Sequence, residues 1–134
     1  VFISVCDRDK RHILPIARTI QRLGFRIVST EGTARTLRGG NVRCEVVRKI
    51  SEPHPNVGDM ISNGEIALIV NTPYGSETRG DGYFMRTEAV KHGVTCVTAL
   101  SGASAFTAAL EALDENPYGL PVIALQDLPQ YEVK

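Results

Sequence analysis

The sequence predicts an α/β fold of three layers, with helices on both faces of a central, mainly parallel five-stranded sheet. Three features predict it. Short apolar runs alternate with segments of helical periodicity, the pattern that joins parallel strands by right-handed crossovers. One run, Ile66-Ala67-Leu68-Ile69-Val70, is unbroken and rich in β-branched residues, as suits a strand covered on both faces. With 134 residues, 43% of them hydrophobic, the chain can fill one layered core and has no room for two domains.

The elements follow in order. Val1 to Val5 reads as the first strand and ends in the polar loop Cys6-Asp7-Arg8-Asp9-Lys10. Ile13, Ile16 or Ala17, Ile20 and Leu23 recur at helical spacing, Asp7 or Asp9 can cap the start, and Gly24 ends the helix. Pro15 is tolerated only in a first turn, so the helix should start late or open on a loosened turn. Phe25 to Ser29 is the second strand, Thr33 to Arg38 a short helix stopped by Gly39-Gly40-Asn41, and Cys44 to Val47 the third strand. Lys49 to Asn56 is too rich in proline for regular structure and long enough to be a working loop. Val57 to Ser62 makes one or two helical turns closed by Asn63-Gly64, and Ile66 to Val70 is the fourth strand. Ser76 to Gly82 reads as a polar loop, Tyr83 to Lys91 as a helix stopped by Gly93, and Val94 to Thr98 as the fifth strand. Ser101 to Leu113 is a helix whose alanines allow close packing on the sheet, and the tail holds at most a short strand around Val122 to Leu125.

In such sheets ligands bind beyond the carboxyl ends of the strands. Those ends are the loops at 7–10, 30–33, 49–56, 71–75 and 99–102, where hydroxyl, amide and ammonium groups collect. The corner Ser29-Thr30-Glu31-Gly32-Thr33-Ala34 joins a strand to a helix start, whose unpaired N–H groups and dipole favour an anion such as phosphate. The alternative is an ordinary capped turn in which Gly32 takes a positive φ and a threonine caps the helix. Lys10 and Lys49 follow strands and can supply charge, or can be solvated surface lysines. Asn71 and Thr72 end the most apolar strand, where an amide both donates and accepts toward a sugar or base; otherwise they are a strand-end turn.

Other chemistries are disfavoured. Fifteen basic and fifteen acidic residues cancel without a basic block, and only 6% of residues are aromatic, which argues against nucleic acid or an acidic membrane as partner. No apolar run reaches the roughly 20 residues of a membrane span and no signal-peptide pattern is present, so a cytoplasmic location is expected. Cys6, Cys44 and Cys96 are odd in number and far apart, which points to reduced, partly buried thiols rather than disulfides or a metal site. His12, His54 and His92 lie on separate elements without a second ligand at metal spacing. Ser101-Gly102-Ala103-Ser104 is not a nucleophile elbow, and the glycines compose neither a dinucleotide fingerprint nor a Walker loop.

A larger pattern emerges from Asp9-Lys10, Thr30-Glu31-Gly32-Thr33-Ala34, Val47-Arg48-Lys49, Pro55 through Asp59 with Ile61-Ser62-Asn63-Gly64-Glu65, Asn71-Thr72-Pro73, and Asp81-Gly82-Tyr83 with Met85-Arg86-Thr87. Over about residues 1 to 115 this ordered set resembles the methylglyoxal-synthase-like domain, most closely the version at the C-terminus of the carbamoyl-phosphate synthetase large subunit. The resemblance implies a Rossmann-like regulatory module occupying residues 1–134, with a core over 1–115 and a tail over 116–134, cut from the C-terminus of a longer cytoplasmic chain. The opening on Val1 without methionine fits that expectation.

It further implies a parent ligase that makes carbamoyl phosphate from bicarbonate, glutamine-derived ammonia and ATP, with Mg or Mn, for pyrimidine and arginine synthesis. The domain itself would be non-catalytic, with no cofactor and no metal, and would bind a nucleotide effector, UMP or IMP. Lys10, Thr30, Thr33, Lys49 and Asn71 match the family's nucleotide contacts, and Gly32 and Thr72 complete the expected effector and phosphate site. Pro73 stands where some members have a second threonine and offers no donor. The implied partners are the synthetase domains of the same chain, the glutaminase small subunit and further copies of the domain. The runner-up is methylglyoxal synthase, which eliminates phosphate from dihydroxyacetone phosphate with carboxylate bases. The places matching its two carboxylates hold His54 and Thr72. A third possibility is an interaction domain with a vestigial crevice.

Overall fold

The computed structural model describes residues 1–72, 76–116, 118–119 and 122–127. Five strands, β1 (Phe2–Val5), β2 (Val28–Ser29), β3 (Glu45–Val46), β4 (Leu68–Thr72) and β5 (Thr95–Val97), form one sheet in the order β3-β2-β1-β4-β5. Every pairing is parallel, with Phe2 opposite both Val28 and Ile69 and Leu68 opposite Thr95. The helices are α1 (Ile13–Arg22), α2 (Glu31–Gly39), α3 (Val57–Ser62), α4 (Ser76–Lys91) and α5 (Leu100–Glu115).

Strand alternation divides the core in two. Ile3, Val5, Leu68 and Val70 face Ile13, Ile16, Ala17 and Ile20 of α1, Leu37 of α2 and Ala103 of α5. Phe2, Val28 and Ile69 face Val57 and Ile61 of α3 and Met85 and Ala89 of α4. Gly102 lets α5 lie close on β5, since a Cβ there would stand 2.9 Å from Val97 Cγ1. The three layers are therefore α1, α2 and α5, sheet, α3 and α4.

Several boundaries differ from the sequence expectation. Asp7 to Asp9 forms a separate 3-10 turn, and α1 opens late on His12, which makes no side-chain cap; neither aspartate caps it, and Pro15 falls within its first turn. The second strand shrinks from Phe25–Ser29 because Phe25 N–H still bonds Ile20 C=O at the end of α1. α2 begins two residues early, at Glu31, and Gly32 sits in its first turn without a positive φ; the positive φ near the end of α2 belongs to Asn41, at 61°. The third and fifth strands are shorter than Cys44–Val47 and Val94–Thr98.

The fourth strand is displaced two residues toward its carboxyl end, so Asn71 and Thr72 lie inside β4, paired with Ser4 and Val5. Residues 76–82, expected as a loop, form the start of α4, where Gly82, Met85 and Ala89 share a buried face at helical spacing. The tail strand around Val122 to Leu125 is absent: Val122 is 97% exposed, and Leu125–Asp127 is a 3-10 turn. Pro73 lies outside the described residues. No helix among the described residues is long and apolar enough to cross a membrane.

Candidate functional site

The carboxyl ends of β1, β2 and β4 open into a cavity of about 430 Å³. Lys10, Thr30, Gly32, Thr33, Lys49, Asn71 and Thr72, the seven residues singled out from sequence, all line it. The loop at 99–102 does not, because Leu100 already begins α5.

Two of the three threonine hydroxyls are committed to the fold. Thr33, 2% exposed, accepts from Val5 N–H at 3.2 Å and approaches Val5 C=O at 3.4 Å, tying the first turn of α2 to the end of β1. Thr72 Oγ1 accepts from Cys6 N–H at 3.2 Å. Thr30 is the N-cap of α2 by backbone alone, and its hydroxyl lies 3.2 Å from that of Ser4 instead of turning onto the helix. The N–H groups of Thr33 and Ala34 both bond Thr30 C=O. Among the described residues no acceptor meets the N–H groups of Glu31 and Gly32, so the first turn of α2 keeps two donors for a guest.

Lys10 stands over that turn. A methyl group built on Gly32 would lie 3.5 Å from Lys10 Nζ, and Lys10 is mostly buried, its side chain 26% exposed. Its ammonium pairs with Asp7 at 2.5 Å, and that hydrogen bond and charge hold the Asp7 carboxyl below its ordinary range. Lys49, also lining the cavity and exposed, is fixed through its backbone: Lys49 N–H donates to Glu52 Oε2 at 2.5 Å, and Asn56 Nδ2 donates to Glu52 C=O at 2.8 Å.

Asn71 is 8% exposed and donates Nδ2–H to Ser4 C=O at 3.2 Å, which orients its amide. Its Oδ1 is buried without a hydrogen-bond partner among the described residues, which is costly unless a ligand or water supplies a donor. Behind the cavity wall Asp9 is 8% exposed. Burial raises its carboxyl, but hydrogen bonds from Thr72, Cys6 and Arg8 outweigh that and hold it below its ordinary value.

Of the lining residues, Ser4, Val5, Cys6, Asp81 and Met85 lie outside the strand-end loops expected from sequence. Ser4 was findable as the polar residue within the first apolar strand. Asp81 was hidden because its segment, 76–82, read as a loop, and Met85 because it falls in the helix expected from Tyr83, away from the strand-end loops. His54 lies outside this cavity, on a neighbouring one of about 350 Å³ that shares Ile50. Its Nδ1 pairs with Asp59 at 2.8 Å, and Asp59 closes a capping box with Asn56 at the start of α3. Backbone N–H of Asn56, then the His54 contact, hold the Asp59 carboxyl below its ordinary range. All three cysteines are free and partly buried, and burial pushes the Cys44 and Cys96 thiols up. Among the described residues no three His, Cys, Asp or Glu side chains cluster at a metal-binding distance.

Comparison with known proteins gives a consistent match. The family model of the MGS-like domain matches residues 12–98. The C-terminal section of the carbamoyl phosphate synthase large chain of Methanopyrus kandleri is 50% identical over 127 residues, 94% of this chain and 23% of that protein. The corresponding section from Methanocaldococcus jannaschii is 42% identical over 96% of this chain and 21% of its own length. The large chain of Methanothermobacter thermautotrophicus is 48% identical over 84% of this chain and 11% of its own length. The chain thus spans less than a quarter of each of these relatives. The crystal structure of ForH superposes with a TM-score of 0.62 at 22% identity, covering 91% of this chain and 83% of ForH, a likeness of fold.

Proposed function

The chain belongs to the MGS-like domain family, and from that premise we propose that it is the allosteric domain of a carbamoyl phosphate synthase large chain, holding a nucleotide monophosphate effector such as UMP or IMP in the cavity. The observation that carries this reading is the buried, unpartnered Asn71 Oδ1 in the same cavity as the open N–H groups of Glu31 and Gly32. The two features ask for different ends of one ligand. The first turn of α2 and Lys10 ask for an anion, and Asn71 asks for a hydroxyl or N–H donor such as a ribose or base presents. A phosphorylated nucleoside has both.

In this reading the ATP-dependent ligase chemistry, with its Mg or Mn, the ammonia-supplying small subunit and the pyrimidine and arginine pathways belong to the rest of a cytoplasmic enzyme. The domain supplies a free energy of coupling to it and associates with the synthetase domains of the same chain and with further copies of itself. Support for a non-catalytic role comes from Asp7, one of two carboxylates among the described lining residues. Asp7 is paired to Lys10 and held below its ordinary range, which makes it a weak proton acceptor. His54 sits on the neighbouring cavity and Thr72 carries no charge.

A thermal-shift series with UMP, IMP, ornithine, N-acetylglutamate and dihydroxyacetone phosphate tests the proposal. A true effector at a hundred times its dissociation constant stabilises by about 2.7 kcal/mol. Stabilisation by dihydroxyacetone phosphate with turnover, and none by a nucleotide, would transfer the chain to the lyase reading. No response to any of them would favour an interaction domain.

A further inference from the structure

The cavity carries an acid where an anion is to bind. Asp7 lines it, and its carboxylate is the partner of the Lys10 ammonium, which stands over Gly32 at the start of α2. The Asp7 side chain is 92% exposed while that of Lys10 is 26% exposed, so the acid stands at the mouth and the base within. Asp81 is the other carboxylate among the described lining residues, which also include the cations Arg8, Lys10 and Lys49. A cavity of about 430 Å³ is only about 9 Å across if round, within roughly one Debye length at physiological salt. A second or third phosphate cannot enter it or stand at its mouth outside the field of Asp7.

We propose that Asp7 is the residue that limits the charge of the ligand: it occupies Lys10 in the empty cavity, yields it to one phosphate, and repels every phosphate beyond the first. The site is thereby one for a phosphomonoester in a cell where di- and triphosphates compete for it. This inference rests on the reading of the cavity as an effector site and adds the residue that selects among effectors. Asp7 costs the monophosphate something as well, since the ligand must displace an existing ion pair.

The test is calorimetric titration of UMP, UDP and UTP, without magnesium, into the unaltered chain, Asp7→Asn and Asp7→Glu. An exposed ion pair is worth about twofold to fivefold in binding, so Asp7→Asn should tighten UMP by that factor. At about 10 mM salt, where screening is weak, each further charge about 8 Å away in a water-like dielectric adds roughly another twofold, so UDP and UTP should gain more than UMP and the preference for UMP should narrow. Asp7→Glu, which keeps the charge, should keep the original ranking. Equal gains for all three nucleotides, or weaker binding of UMP by Asp7→Asn, would overturn the proposal. Inorganic phosphate and pyrophosphate separate it from the effector reading. If no nucleotide binds but Asp7→Asn narrows the preference for phosphate over pyrophosphate, the charge limit stands and the nucleotide reading falls. If no anion binds either protein, both fall.

Discussion

Replacing Thr33 by valine separates a structural hydroxyl from a ligand contact. Valine matches threonine in shape but removes the acceptor that meets Val5 N–H at 3.2 Å, at a site where Thr33 is 2% and Val5 7% exposed. Val5 lies at the end of β1, two residues past the last β1–β2 pair, Ile3 and Ser29, so the Thr33 side chain takes the place that a longer β2 would have filled. A buried N–H left without an acceptor costs about 1–3 kcal/mol. For a chain of this size that lowers the melting temperature by roughly 4–10 °C. Thr33→Ser keeps the oxygen and loses one methyl, worth about 1 kcal/mol. Urea titration of the three proteins measures the difference, with an unchanged slope showing that compactness is unaltered. If Thr33→Val is as stable as the unaltered chain yet no longer binds a nucleotide, the hydroxyl serves the ligand and the structural argument is wrong.

Other perturbations have definite outcomes. Lys10→Ala and Lys49→Ala should each weaken a phosphorylated effector by about 1.5–3 kcal/mol in calorimetry while leaving the fold intact. Gly32 has no positive φ and a Cβ there would make only ordinary contact with Lys10 Nζ, so Gly32→Ala should raise helix stability by about 0.5–1 kcal/mol in thermal unfolding. Gly32→Val, whose γ-methyls extend beyond a Cβ already 3.5 Å from Lys10 Nζ, should weaken anion binding, and in a full-length synthetase it should blunt the nucleotide response while basal carbamoyl phosphate formation persists. Asp59 and Asp9 both titrate below the ordinary carboxylate value in the folded chain. Their contributions to stability are present above the unfolded value of about 3.9 and are lost as pH falls through the folded values, so Asp59→Asn should flatten the acid limb of a stability–pH curve. Purified protein should release no methylglyoxal from dihydroxyacetone phosphate in a coupled assay.

Much of the fold was legible because its signals are local. Helix α3 has its closing Asn63-Gly64 written in consecutive residues, and Gly24, Gly64 and Gly93 stop elements with positive φ. What escaped depends on partners distant in sequence. Apolar character placed the fourth strand at Ile66, but pairing with β1 carries it through Asn71 and Thr72, whose polar groups are met by Ser4 C=O and Cys6 N–H. The glycines of residues 76–82 argued for a loop, and burial of Gly82, Met85 and Ala89 against the sheet overrode that propensity. The residues of the cavity were legible as chemistry at strand ends. Their division of labour was not: that Thr33 and Thr72 serve the backbone while Glu31, Gly32 and Asn71 keep open valences depends on distances no spacing rule supplies.

A bound nucleotide must be felt at the first turn of α2 and at Asn71. In a nitrogen-15 amide titration with UMP and with IMP, the Glu31 and Gly32 backbone amides and the Asn71 side-chain amide should show the largest shifts, saturating with one dissociation constant. Saturable shifts centred instead on His54, Asn56 and Phe84 of the neighbouring cavity, or none at millimolar nucleotide, would contradict it.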